Sequence, residues 1–131
     1  NEAGITPQEV EYINTHGTAT PIGDVAEVKA IQQLFGEHAY ALNITSSKSM
    51  LGHTMGAAGA VEAIISILSM QQGMVTPTIN HEQGDEDPNI DYRLNFTFNQ
   101  AQQRNIHYAM SNNYGFGGQN ACLLFKNPNI Q

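Results

Sequence analysis

The chain has one cysteine, Cys122, among 131 residues, so it cannot close an internal disulfide or build a cysteine-rich zinc site. A reducing compartment, and hence a cytoplasmic setting, is the simpler expectation. Lysine and arginine together number only five against twelve acidic residues, for a formal charge of −7. Nucleic acid and anionic membrane both reward clustered basic residues, so neither is expected as a partner. No apolar run approaches the roughly 20 residues that span a bilayer, and no basic-then-apolar leader opens the sequence. Repeats and low-complexity tracts are also missing. At this length one hydrophobic core is expected and two ordinary domains are not. A start at Asn1 is compatible with a piece of something longer.

What is present is a recurrent α/β pattern. Val10 to Asn14 is β-prone, and Asp24 then opens a helical stripe of Val25, Val28, Ile31, Leu34 and Phe35 that stops at Gly36. Ala41 to Thr45 predicts a second strand. A second helix is expected from Met55 to Gln72, stopped by Gly73. Its first turns are small residues and its later ones carry Ile64, Ile65, Ile67, Leu68 and Met70, apolar almost all round, which predicts a buried central helix. Thr76 to Asp91, with two prolines and the acidic cluster Glu82 to Asp87, reads as a solvated connection. Strands are expected at Leu94 to Phe98, His107 to Ser111 and Ala121 to Phe125, the last two joined as a hairpin by a Gly-rich loop. The order predicts a mixed sheet with at least one helical layer.

Two of the five histidines stand apart. His16 lies in Thr15-His16-Gly17-Thr18-Ala19-Thr20 and His53 in Lys48-Ser49-Met50-Leu51-Gly52-His53-Thr54, each just after an expected strand, where open α/β sheets bind their ligands. Small hydroxyl and glycine neighbours leave room for a substrate. Two neutral imidazoles can donate N–H bonds to one carbonyl oxygen as charge develops on it, which makes an oxyanion hole of side chains. Metal binding is the competing use of histidine, but no H-x-x-x-H or carboxylate spacing accompanies either residue. His38, His81 and His107 have ordinary helix-end, loop and strand surroundings.

Lys48, in a turn rich in serine and threonine, can hold a positive charge near both imidazoles and depress their pKa values. Glu62, on an otherwise apolar helix, is costly to bury alone, so Lys48 is its natural partner. Gly115-Phe116-Gly117-Gly118 is not a phosphate loop, because no helix follows it. An aromatic between glycines suits a mobile gate over a pocket. Cys122 reads as a small buried hydrophobe in a strand, with no activating base beside it. The nucleophile that carbonyl chemistry would use is therefore not evident in the chain.

Four motifs in this order and spacing, Asn14 to Thr20, Ser47 to His53, Gly56-Ala57-Ala58-Gly59-Ala60 and Gly115 to Gly118, resemble those of the β-ketoacyl acyl-carrier-protein synthases, close to the elongating bacterial type. The resemblance covers almost the whole chain and implies an α/β, thiolase-like fold, of which residues 1–131 would be most of the C-terminal half. In that family two such halves pack in five layers and the enzymes form homodimers, so an exposed apolar packing face is expected. The acyl-accepting cysteine lies in the first half. By resemblance, His16 and His53 would hold a malonyl thioester carbonyl and stabilise the enolate formed on decarboxylation. Lys48 would be the active-site lysine, with Glu62 its partner. Thr18 and Thr20 would bind the phosphopantetheine arm, and Phe116, flanked by Gly115 and Gly117, would gate the acyl pocket. No cofactor or metal is implied, since the substrates ride on the phosphopantetheine of acyl carrier protein.

The sequence departs from the family pattern at Asn113-Tyr114, usually Ser-Phe, and at Gln119, usually Thr, which leaves the acyl-chain preference open. Acyl carrier protein is acidic and so is this chain, so the basic docking surface is expected from the other half or the dimer mate. Alternatives are a polyketide-type ketosynthase or its non-condensing partner subunit and, from another class, a noncatalytic acyl- or metal-binding module.

Overall fold

A computed structural model describes residues 2–129. A four-stranded sheet has the order β2-β1-β5-β6, with strands β1 Tyr12–Asn14, β2 Asn43–Thr45, β5 Tyr108–Tyr114 and β6 Asn120–Lys126. β1 runs parallel to both β2 and β5, and β5 pairs antiparallel with β6, so the sheet is mixed. Helix α1 spans Pro21–Phe35, α2 is a single turn at Lys48–Leu51, and α3 spans Ala58–Gln72. A separate two-stranded ladder joins β3 Met74–Val75 to β4 Gln102–Gln103.

β1 is buried at every residue because it is sandwiched. Successive side chains of a strand alternate faces. Ile13 therefore enters the core beside α1, with Val28, Ile31, Phe35, Leu42, Ile44 and Met110, while Tyr12 enters the α3 side with Met70, Val75, Ile106 and Ala109. α1 starts with Pro21 in its first turn, where the missing N–H is not needed, and ends at Gly36. α3 ends at Gly73, which is left-handed at φ 62 and ψ 33 and lets the chain turn back toward β3.

The expected β1, α1, β2 and β5–β6 hairpin are all present, within a few residues of their predicted bounds. Three expectations are corrected. Leu94 to Phe98 is not a strand: Thr97 and Asn99 have φ 53 and 59, which breaks extended pairing and leaves only single bridges from Asn95 to Asn43 and from Phe98 to Thr78. α3 is not buried all round. It buries Ala58, Glu62, Ser66, Ser69 and Met70 against the sheet and exposes Ile64, Ile67 and Leu68 at 56%, 38% and 45%. Cys122 is exposed rather than buried, because β6 is an edge strand and its first four residues lie beyond the cover of the helices. The exposed apolar face that the resemblance implies is thus found on α3.

Candidate active site

The end of β1 feeds the His16 turn, and the turn is pinned from three sides. Thr15 donates its amide and its hydroxyl to the Thr45 carbonyl, both at 2.8 Å, tying the turn to β2. The Ser46 hydroxyl donates to the Gly17 carbonyl at 2.6 Å. Only glycine fits at 17, since φ is +38 and an added Cβ would lie 2.7 Å from Ser46 and from the Thr15 hydroxyl. On the third side Glu27, buried in α1, accepts the amides of His16 and Gly17 at 3.0 Å each and the Asn112 side-chain amide at 3.3 Å. Burial raises the Glu27 pKa, and the amides of Gly17 and His16 work against that rise.

The second turn is built from β2 through α2. Asn14 donates its side-chain amide to the Ser47 hydroxyl at 2.8 Å, so the two turns share a buried link. Gly52, at φ 72, releases the chain from α2 into the exposed His53 loop. There the Met55 amide donates to His53 Nδ1 at 3.1 Å. In the neutral ring the proton therefore sits on Nε2 and is free to be donated outward.

His16 and His53 meet edge to face, with ring centroids 5.6 Å apart and planes at 88°. Tyr114 packs on the other side of His16 at 5.4 Å. Lys48 forms a buried ion pair with Glu62, so the partnership expected from the sequence is present. Desolvation lowers the His16 pKa, the Lys48 charge lowers it further, and Glu62 partly opposes them. A neutral His16 at neutral pH follows. Asn14 Oδ1, Glu62 Oε2 and Ser111 Oγ have no partner among the described residues, so the site keeps spare hydrogen-bonding capacity.

Both imidazoles open on a cleft of about 960 Å³, lined also by Thr18, Thr20, Asn113, Tyr114, Gly115 and Phe116. A second cavity of about 500 Å³ reaches Lys48 and His53 from beneath, with an aromatic wall of Tyr92, Phe96 and Phe98. Thr18 and Thr20 are hydrogen-bonded to each other at 3.2 Å on the cleft rim. Phe116, at the tip of the hairpin turn, is 97% exposed, while the Gly115 amide closes the turn on the Gln119 carbonyl at 2.7 Å. Gly117, at φ 81, completes the bend.

The remaining histidines serve elsewhere: His38 bonds the Val10 carbonyl at 2.8 Å, His107 pairs with Glu11 at 3.0 Å, and His81 stacks on Phe98 at 3.8 Å. Although the residue as a whole is exposed, desolvation of the Cys122 thiol, ahead of repulsion by Glu27, raises its pKa, the opposite of what an activated nucleophile needs. No group of three His, Cys, Asp or Glu side chains capable of holding a metal ion occurs among the described residues. None of their helices is long and apolar enough to cross a membrane.

Sequence reasoning missed Glu27 and Tyr114. Glu27 could have been found, because spacing puts it on the buried α1 stripe four residues before Ile31, where a carboxylate without work is expensive. Tyr114 carries no such signal in one sequence, since its meeting with His16 depends on the β1–β5 pairing.

Residues 1–82 match the family described as Beta-ketoacyl synthase, C-terminal domain. A 3-oxoacyl-[acyl-carrier-protein] synthase 2 of Staphylococcus aureus is 52% identical over 96% of this chain and 30% of its own length. The Coxiella burnetii protein of the same name is 48% identical over 94% of this chain and 29% of its own. Among solved structures, a beta-ketoacyl synthase from Burkholderia phymatum superposes with a TM-score of 0.86 at 38% identity, over 95% of this chain and 29% of that one. The chain thus spans about 30% of the length of the curated relatives it matches. The fold is the thiolase-like one that the motifs implied, and the chain belongs to the β-ketoacyl synthase family as its C-terminal domain.

Proposed function

We propose that this chain supplies the His16, His53 and Lys48 part of an active site for decarboxylative Claisen condensation in fatty-acid chain elongation. The observation that carries the reading is the pair of imidazoles 5.6 Å apart, with His53 Nδ1 committed as an acceptor and its Nε2 proton therefore directed outward. Such a pair can donate two hydrogen bonds to one thioester oxygen. When the malonyl thioester loses carbon dioxide, the bonding pair moves into an enolate whose oxygen those donors stabilise. The enolate carbon then attacks the acyl-cysteine thioester carbonyl, a carbon–carbon bond forms, and the cysteine leaves as thiolate.

In this reading Lys48, itself balanced by Glu62, favours a neutral His16. Thr18 and Thr20 meet the phosphopantetheine arm at the rim, and Phe116, flanked by Gly115 and Gly117, is the gate beside the acyl pocket. The nucleophilic cysteine belongs to the N-terminal half, the working unit is a cytoplasmic homodimer, and acyl carrier protein delivers both thioesters. In one related solved structure, a type II polyketide acyl-carrier protein is in complex with its ketosynthase, which supports that partner. That structure is 35% identical, against 52% for the 3-oxoacyl-[acyl-carrier-protein] synthase 2, which favours fatty-acid over polyketide extension.

The test is malonyl-carrier-dependent elongation by the full-length protein carrying this chain. His53→Ala is expected to lower kcat by about 10²- to 10³-fold, as loss of one oxyanion donor does. Undiminished activity would remove His53 from the mechanism. The 131-residue chain assayed alone is expected to be inactive, and turnover by it would overturn the assignment of the nucleophile to another segment.

A further inference from the structure

Tyr114 is the last residue of β5, at the junction between the sheet and the 115–118 turn. Strand alternation puts Met110, Asn112 and Tyr114 on the α1 face of the sheet. Asn112 already reaches Glu27 from that face at 3.3 Å, and Tyr114, one strand period further, lines the same cleft as Glu27 and His16. Its ring lies 5.4 Å from the His16 imidazole, tilted by 58°. Glu27 in turn holds the amides of His16 and Gly17 at 3.0 Å each. His16 is therefore held through its ring by Tyr114 and through its backbone by the Glu27 carboxylate. The next residue, Gly115, begins the exposed turn that carries Phe116, closed by its 2.7 Å bond to Gln119.

We propose that Tyr114 is a positioning residue for His16, which ties the 115–118 turn to that imidazole by packing on its ring. A displacement of the turn must move Tyr114 and hence loosen the His16 ring. Burial, and then the charges of Glu27 and Cys122, push the Tyr114 hydroxyl up to about 12, so it remains a protonated donor over the working pH range. The kinetic consequence rests on the condensing reading proposed above; the titration consequence does not.

The experiment uses the full-length protein with isotopically labelled histidine, as wild type, Tyr114→Phe and Tyr114→Ala. The His16 resonance is identified by its loss in His16→Asn. The groups that face His16 are Lys48 from α2, Glu62 and the start of α3, His53 from its loop, Asn113 and Tyr114 from β5, and Glu27 from α1. Desolvation is the main cause of its depressed pKa, so removing the Tyr114 ring must let it rise. Tyr114→Ala is therefore expected to move the His16 midpoint upward toward the ordinary value near 6.5, with the other histidines unmoved. Tyr114→Phe keeps the ring, the one usual in the family at this position, and is expected to leave the His16 midpoint at its wild-type value, whereas Tyr114→Ala is also expected to lower kcat with KM for the malonyl thioester unchanged. An unmoved His16 midpoint in Tyr114→Ala overturns the proposal whatever the activity. A His16 midpoint that shifts as far in Tyr114→Phe as in Tyr114→Ala overturns it too, because the ring would then not be what holds His16. If the wild type does not condense, the function reading falls, and the titration still decides the role of Tyr114.

Discussion

α1 and α3 have the same length, fifteen residues each, and lie on opposite faces of one sheet, yet they are built in opposite senses. α1 presses Val28, Ile31 and Phe35 onto the sheet, and its one buried acid, Glu27, is fully occupied by backbone and side-chain donors. α3 turns Glu62, Ser66 and Ser69 inward and leaves isoleucines and a leucine facing out. A helix that buries polar groups and exposes apolar ones is not stabilised by this chain's own core alone. Its inner face is given over to the site, because Glu62 must meet Lys48, and its outer face is of the composition that another layer covers.

The sharpest way to break this comparison is to remove the charge partner on the inner face of α3. Lys48→Met strands Glu62 in the interior and is expected to destabilise the full-length protein by about 3–5 kcal/mol in denaturant unfolding. The same change removes the charge that depresses His16 and leaves Glu62, whose effect is to raise it. The His16 titration, followed by NMR, must then move to higher pH. A stability loss near zero would mean that Glu62 is compensated from elsewhere. On the other helix, Ile31→Ala removes a side chain that is 3% exposed and is expected to cost about 3 kcal/mol by the same measurement. The smallest effect is expected on the outer face of α3. Ile64→Ser, measured on this chain alone, should change stability by less than about 0.5 kcal/mol. A cost as large as that of Ile31→Ala would show that the outer face is covered, and the contrast between the helices would collapse.

The same contrast separates what was legible in the sequence from what was not. The period-3.6 stripe of α1 could be read because a buried apolar face facing its own core is what periodicity reports. In α3 the polar residues Glu62, Ser66 and Ser69 fall on one side, which periodicity alone assigns to solvent, yet that is the side the sheet covers. The Lys48–Glu62 pair was legible for a different reason: an acid in an apolar helix demands a partner wherever the helix packs. Leu94 to Phe98 has strand-like composition, but Thr97 and Asn99 adopt left-handed torsions that local propensity does not encode. β3 and β4 are two residues each, too short for any pattern. His16 and His53 were identified from their turn chemistry, whereas Glu27 and Tyr114 reach His16 across 11 and 98 positions of chain, and only the second of these was beyond spacing rules.

The bond from the Met55 amide to His53 Nδ1 has a consequence for how this site can change over evolutionary time. The proton of that imidazole is assigned by a peptide group, one that every amino acid except proline possesses. Met55 holds φ at 51, a torsion that its exposed side chain does nothing to secure. Residue 55 can therefore change among residues that tolerate that left-handed torsion, glycine and asparagine above all, without disturbing the tautomer beside it. A β-branched residue would strain the loop, and proline would remove the donor itself.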